Sequence, residues 1–217
     1  VIYRHTESIA GWNQWEMTLL VGTSLLIQRL LMGFFWTNLF EMGRNVRSGA
    51  FDFFVAQPGP LLFMVSTRKI DLDGFLNVPI ALGVIIYAAR QLGLDPGAAQ
   101  IAVYAVFIVC GLAIHYATLL FFISLVFWLQ SAKGVEGGYF GLNEFSRLPR
   151  QALSGAAAVI FVYALPVTIV TNVPASTLLH GIDWTSTAWL VSAAVFWWVL
   201  AVTVFHVGVR RYTSASS

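Results

Sequence analysis

Five long runs of apolar side chains dominate the chain, and they leave few architectures open. They extend from Glu16 to Phe40, Phe75 to Ala89, Ala98 to Leu129, Ala152 to Asn172 and Thr185 to Val209. A helix needs about 20 apolar residues with few charges to cross the hydrocarbon of a bilayer. In lipid the backbone N–H and C=O groups must bond one another, so such spans are helical. The pattern predicts an all-α integral membrane fold, read as one transmembrane domain over residues 1–217 with five spans. Composition agrees: 58% of the 217 residues are hydrophobic and only 10% are charged, against about 25% in soluble domains.

Two runs are irregular. Phe75 to Ala89 is short and carries Pro79, but Asp71 and Asp73 before it and Arg90 after it mark the ends of a span. Ala152 to Asn172 contains Pro166, which removes a backbone hydrogen bond and breaks or kinks a helix. The following "VTIVTNVPASTLLHGI" is apolar yet interrupted by Asn172, Pro174 and His180. That pattern suits a helix that stops short, followed by a re-entrant or interfacial piece. A kinked span with an outer loop is the alternative.

Charge sets the orientation, because Lys and Arg accumulate on the cytoplasmic side. Arg44, Arg47, Arg68 and Lys69 follow the first span, Lys133, Arg147 and Arg150 the third, and Arg210 and Arg211 the fifth; the other side has Arg4 and Arg90. The bias predicts a multi-pass protein of the cell (inner) membrane with Val1 outside and the C-terminus cytoplasmic. The loops 41–73 and 130–151 then lie inside the cell. The chain starts with Val, so it is expected to begin within a longer protein.

Little in the sequence points to chemistry. Cys110 is the sole cysteine, which excludes an intrachain disulfide and a cysteine metal cluster. The glycines Gly134, Gly137 and Gly138 lack the Lys of a phosphate-binding loop. The four histidines His5, His115, His180 and His206 form no helical ligand pair, and no metal site, catalytic set or nucleic-acid motif is expected. Two polar residues stand inside spans. Arg29, beside Gln28, costs about 2.5–3.5 kcal/mol to insert. It either meets an anionic substrate group or partner subunit, or pairs internally or snorkels. His115 either bonds a neighbouring helix or lines a substrate path. With Pro166 these form the candidate path.

The loop "RSGAFDFFVAQPGP" is the sharper motif. Gly49 breaks the preceding helix, and Ala50 to Gln57 suits a short helix with Asp52 near its positive N-terminus. Pro58 ends it. Phe51, Phe54 and Val55 fall at i, i+3 and i+4, on one face. Such a face meets either the lipid interface or a groove on another protein.

"VRSGAFDFFVAQP", "RKIDLDG" at Arg68 to Gly74 and "RRYTSAS" at Arg210 to Ser216 resemble the permease subunits of bacterial ABC-2 type exporters. The branch resembled carries an I-R-S-G-x-L-D-x-x-L-x-x-P loop and ends in R-R-Y-x-S-A-S. The resemblance extends over the whole chain, "VTNVPASTLL" included. It implies a six-span permease, here N-terminally truncated to five, with a re-entrant element before the last span. It implies a homodimer or heterodimer of permeases bound to two separate ATPase chains, which hold ATP and Mg. This chain would bind no cofactor itself. It also implies that the loop is a coupling helix fitted into an ATPase groove. Gly49, Asp52 and Pro58 match the loop motif by position. Phe51 stands where Leu is usual, and Gly59-Pro60 departs from the common continuation.

The expected function is export of a drug, lipid, peptide or glycan, driven by ATP hydrolysis in the partner. The alternative is an integral membrane enzyme acting on a lipid or isoprenoid, for which Asp71-Leu72-Asp73 is the sole acidic cluster. A channel or structural membrane subunit is a third reading.

Overall fold

The computed structural model describes residues 8–129, 137–139, 141 and 144–212. Arg4, His5, Lys133, Gly134 and the 213–216 part of the terminal motif lie outside them. The described residues form helices and turns, with one isolated bridge between Ile9 and Trp12.

Helix α1 (Gln14–Ser48) is continuous over 35 residues. Asn13 starts it with a capping box: its side chain accepts from the Trp15 and Glu16 amides, and Glu16 returns the bond to the Asn13 amide. At 1.5 Å per residue α1 is about 52 Å long, well beyond a hydrocarbon core of about 30 Å. Its last turns therefore project from the layer that the rest of the helix spans. Gly49 ends it in the left-handed region, at φ 79°, which glycine adopts without a Cβ penalty.

The chain continues through two short helices, α2 (Asp52–Val55) and α3 (Leu61–Ser66). Three long or bent helical units follow: α4 (Leu72–Gln91), α5 (Ala98–Phe127) and the pair α6 (Gly155–Ala164) and α7 (Ile169–His180), bent by 85°. The chain ends in α8 (Trp184–Arg211). Of these, α1, α4, α5 and α8 are long and apolar enough to cross a membrane alone.

Side-chain contacts define two ends of the bundle. Trp15 meets Tyr87, and Gln100 donates to the Thr177 and Leu178 carbonyls. The start of α1, the end of α4, the start of α5 and the end of α7 thus share one end, here called the Trp12 end. At the opposite, Tyr212 end, the Tyr212 hydroxyl donates to the Gly49 carbonyl and its ring meets Phe51 and Phe127.

Tyr116 and Phe121 of α5 meet Trp198 and Trp197 of α8, and further along both helices Phe127 meets Phe205. These two helices are parallel. The chain must therefore return from the Tyr212 end to the Trp12 end between them.

The return is not made where hydropathy placed it. The expected span from Ala152 to Asn172 is broken at Leu165 to Thr168, and Pro166 is buried at the break. Val170 of α7 packs on Gly111, halfway along α5, and α7 ends beside Gln100. The α6–α7 pair thus dips into the bundle and comes back to the end it left; a re-entrant element before the last span was expected, but the helix up to Pro166, read as a fourth span, is part of it.

The ascent belongs instead to residues 137–139 and 144–151. Tyr139 meets Trp36 and bonds His115. Further along, Ser146 bonds Ser24, and Gln151 accepts from the Trp12 indole. This corrects the expectation that 130–151 is a loop confined to one side, and it moves Arg147 and Arg150 away from the Tyr212 end. The physical reason lies in how the segment is solvated. Irregular, polar backbone is tolerated at membrane depth when protein satisfies it. Asn172 accepts from the Arg150 amide and donates to the Leu148 carbonyl, while Thr171 donates to the Ser146 carbonyl. Hydropathy cannot register that support, because it comes from the far side of the next turn.

Candidate functional site

Two places combine unusual residues with accessible surface. The first is the 49–69 loop at the Tyr212 end. The spacing argument put Phe51, Phe54 and Val55 on one outward face, and the structure divides them. Phe51 is fully buried and Phe54 nearly so, at 7% exposure, while Val55 and Phe53 are 51% and 55% exposed. Phe51 packs on Phe127 and Tyr212. It is an anchor, not a contact offered to a partner. The helix is a single turn, α2, so four residues are too few for a sustained i, i+3, i+4 stripe.

Asp52 sits at the first turn and bonds the Tyr212 hydroxyl; burial first, and then this carboxylate, push the Tyr212 phenol above its ordinary range. Gly49, Asp52 and Tyr212 therefore join the loop motif to the terminal motif in space. Pro58 is exposed beyond the turn.

The loop is tied back to α1 by polar clamps. Asn38 accepts from the Lys69 amide at 2.8 Å and donates to the Lys69 carbonyl at 2.8 Å. The Asp71 amide donates to the Gly33 carbonyl, and Thr37 donates to the Asp71 carboxylate. Gly33 lies in a π-turn, Met32–Trp36, within α1. A Cβ on Gly74 would stand 2.5 Å from the Gly33 nitrogen, so only glycine permits this approach of backbones. Asp71 also caps α4 through the Asp73 amide. The acids considered for enzyme chemistry are thus used to start a helix.

The second place is the polar face beside α1. Arg147 pairs with Glu144 at 3.2 Å and donates to Gln28 at 3.2 Å. The Glu144 side chain is 66% exposed. Arg29, half-buried on the next position of α1, reaches the Met32 sulfur at 3.7 Å. It has no carboxylate partner among the described residues. His115 is buried and held by Tyr139, the inter-element hydrogen bond that was one of its two readings. Pro166 is away from this face, at the α6–α7 break. The structure thus groups Gln28 with Arg147 and Glu144, while Arg29 points along α1 to Met32 and none of the three candidate path residues, Arg29, His115 and Pro166, contacts another. The sequence signal for Arg147 and Glu144 was present as charge but was assigned to a loop.

The ABC-2 family transporter profile matches residues 1–216. The chain belongs to the ABC-2 transporter family. No curated protein and no solved structure gave a match. For an ABC-2 permease, an all-helical bundle with several membrane-length helices and a bent pair before the last is the architecture in hand. Among the described residues no group of three or more His, Cys, Asp or Glu side chains is placed to hold a metal ion.

Proposed function

We propose that this permease is the transmembrane subunit of an ATP-driven exporter, working with separate ATPase chains and a second permease subunit. The observation that carries the reading is the division of the 49–69 loop. Phe51 and Phe54 fix it to the bundle, while Phe53 and Val55 are more than half exposed. A rigidly anchored turn with an exposed apolar rim is suited to sit in a protein groove and to carry its motion. The Asn38, Gly33 and Asp71 clamps give that motion a path into α1.

Orientation follows from the cations. Arg44, Arg47, Arg68, Lys69, Arg210 and Arg211 gather at the Tyr212 end, whereas Arg90 and Arg150 lie toward the other. The Tyr212 end is then cytoplasmic. The exposed Glu144–Arg147 pair supports a second permease subunit, because a lipid-facing ion pair at this depth is costly unless protein or a water-filled cavity covers it. Gln28, bonded to Arg147, would line that cavity, and this face is our candidate path for the exported drug, lipid, peptide or glycan. ATP and Mg would be held by the ATPase chains.

The test is capture of the ATPase. The chain co-expressed with candidate ABC ATPase chains of the same genome is expected to retain one of them through purification in mild detergent. Phe53→Ala with Val55→Ala is expected to lose it while the permease still accumulates. Retention by the double variant removes this loop as the contact, and failure of the unmodified chain to hold any ABC ATPase removes the function.

A further inference from the structure

Between α3, α5 and α8 lies a cavity of about 470 Å3, open to the outside of the bundle. Its walls include Phe63, Leu112, Ala113 and Trp198, and it reaches Val109, which is 65% exposed. The volume is in the range of ligand sites, about 300–1,000 Å3. Its polar side chains are few, and most bond within the protein. Ser66 and Tyr116 bond each other at 2.7 Å, and Thr67 donates to the Phe63 carbonyl at 2.8 Å. The remaining lining is aliphatic and aromatic, so the wall favours an apolar occupant.

The mouth is different. Arg68 follows Thr67 directly and is exposed. Its guanidinium lies 5.5 Å from the centre of the Phe54 ring and 5.6 Å from that of Phe53. Among the described residues no carboxylate pairs with it, whereas the next cation, Lys69, is paired with Glu41. An aromatic-held guanidinium keeps its donors available for an anion. From Tyr116 to Val109 the wall runs along α5 for about 10 Å, away from this cation.

We infer that the groove holds one acyl chain of an anionic phospholipid, with the phosphate on Arg68 and the chain along α5 toward Val109. The leaflet is cytoplasmic, which rests on the orientation proposed above. Such a lipid would brace α3, and with it the anchored loop, against the two parallel helices.

The test uses the purified full chain in nanodiscs of phosphatidylethanolamine. These contain a minor fraction of phosphatidylglycerol, or of phosphatidylcholine, carrying a diazirine in one acyl chain. After irradiation, labelled peptides are mapped by mass spectrometry. Phosphatidylglycerol is expected to label the groove residues several-fold more than exposed positions such as Val191, and several-fold more than phosphatidylcholine does. Ala113→Trp, which fills the groove, is expected to remove that label. Arg68→Gln is expected to lower it to the phosphatidylcholine level. Even labelling over all lipid-facing positions overturns the site, and equal labelling by the two lipids overturns the role of Arg68. A cross-link between Phe63→Cys chains would place a second copy in the groove and overturn the lipid as occupant. The leaflet is read separately: an impermeant maleimide that labels Arg47→Cys on intact cells overturns the orientation, whatever the groove binds.

Discussion

Two connecting segments carry similar cues in the sequence and end in opposite situations. The 49–69 loop and residues 137–151 both hold Arg, Gly, Pro and Phe between apolar runs. The first stays at the Tyr212 end, its backbone turned by Gly49 and anchored by Phe51. The second climbs the bundle from Trp36 to Trp12, with its carbonyls and amides met by Thr171 and Asn172. Charge and breaker residues tell where a segment cannot be bare lipid-facing helix. They do not tell whether water or protein solvates it.

The comparison is broken most directly by an all-or-none experiment. A cysteine at Arg150, which is exposed, is expected to react with an impermeant maleimide on intact cells. A cysteine at Arg47 is expected to react only after permeabilisation. Labelling of both from the same side would return 137–151 to the status of a cytoplasmic loop.

The next effect separates anchor from rim inside the first segment. Phe51→Ala removes a fully buried ring from between Phe54, Phe127 and Tyr212 and is expected to cost about 3–5 kcal/mol. Phe53→Ala, on the exposed side, is expected to change stability by no more than about 0.5 kcal/mol. Thermal unfolding in detergent measures both. Equal losses would mean that the turn is not anchored through Phe51.

These residues show how far the sequence could be read. Four long helices and the break at Pro166 were legible, because apolar length and a missing amide act locally. The family resemblance was legible in the loop and tail motifs, which Tyr212, Gly49 and Asp52 bring together in space. The inward turn of Phe51 was not, since its neighbours Phe127 and Tyr212 are far away in sequence. The ascent of 137–151 was not either. Its hydrogen-bond partners stand on α7, and a hydropathy window sees only the polar side chains. Arg147 was therefore read as a cytoplasmic loop charge, although it pairs with Glu144 against Gln28.

Asn172 tests the support of the second segment. It bonds the Arg150 amide and the Leu148 and Thr168 carbonyls. Asn172→Leu removes the side-chain partner of the Arg150 amide and the Leu148 carbonyl, at about 1–3 kcal/mol for each that finds no water, while the Thr168 carbonyl keeps its bond from the residue 172 amide. A lower unfolding temperature is expected, together with faster proteolysis within 137–151 than within the 49–69 loop. Unchanged proteolysis would show that Asn172 does not hold the segment.

The smallest expected effect reads the same placement through a titration. Asp183 caps α8, accepting from the Thr185 and Ser186 amides. Its carboxyl is held below the ordinary value of 3.8, chiefly by the bond from the Ser186 side chain, then by the Ser186 amide, with a further contribution from the charge of Arg150. A folded pKa below the unfolded one means that the carboxylate stabilises the fold above the ordinary value. That contribution is lost as pH falls through the lowered one. The unfolding temperature in nanodiscs should therefore be level from neutral pH to the upper edge of the carboxylate range and decline below it. Asp183→Asn, which keeps a capping oxygen but cannot titrate, should flatten part of the decline. Asp183 is fully exposed, so the effect is small and shrinks in salt. Arg150→Gln should flatten only a small part of what Asp183→Asn does, because its charge is the smallest of these contributions, and only if Arg150 stands at the Trp12 end, since otherwise it is too distant to act on Asp183. An Arg150→Gln profile identical to that of the unmodified chain, beside a flattened Asp183→Asn profile, would separate the two residues and count against the ascent.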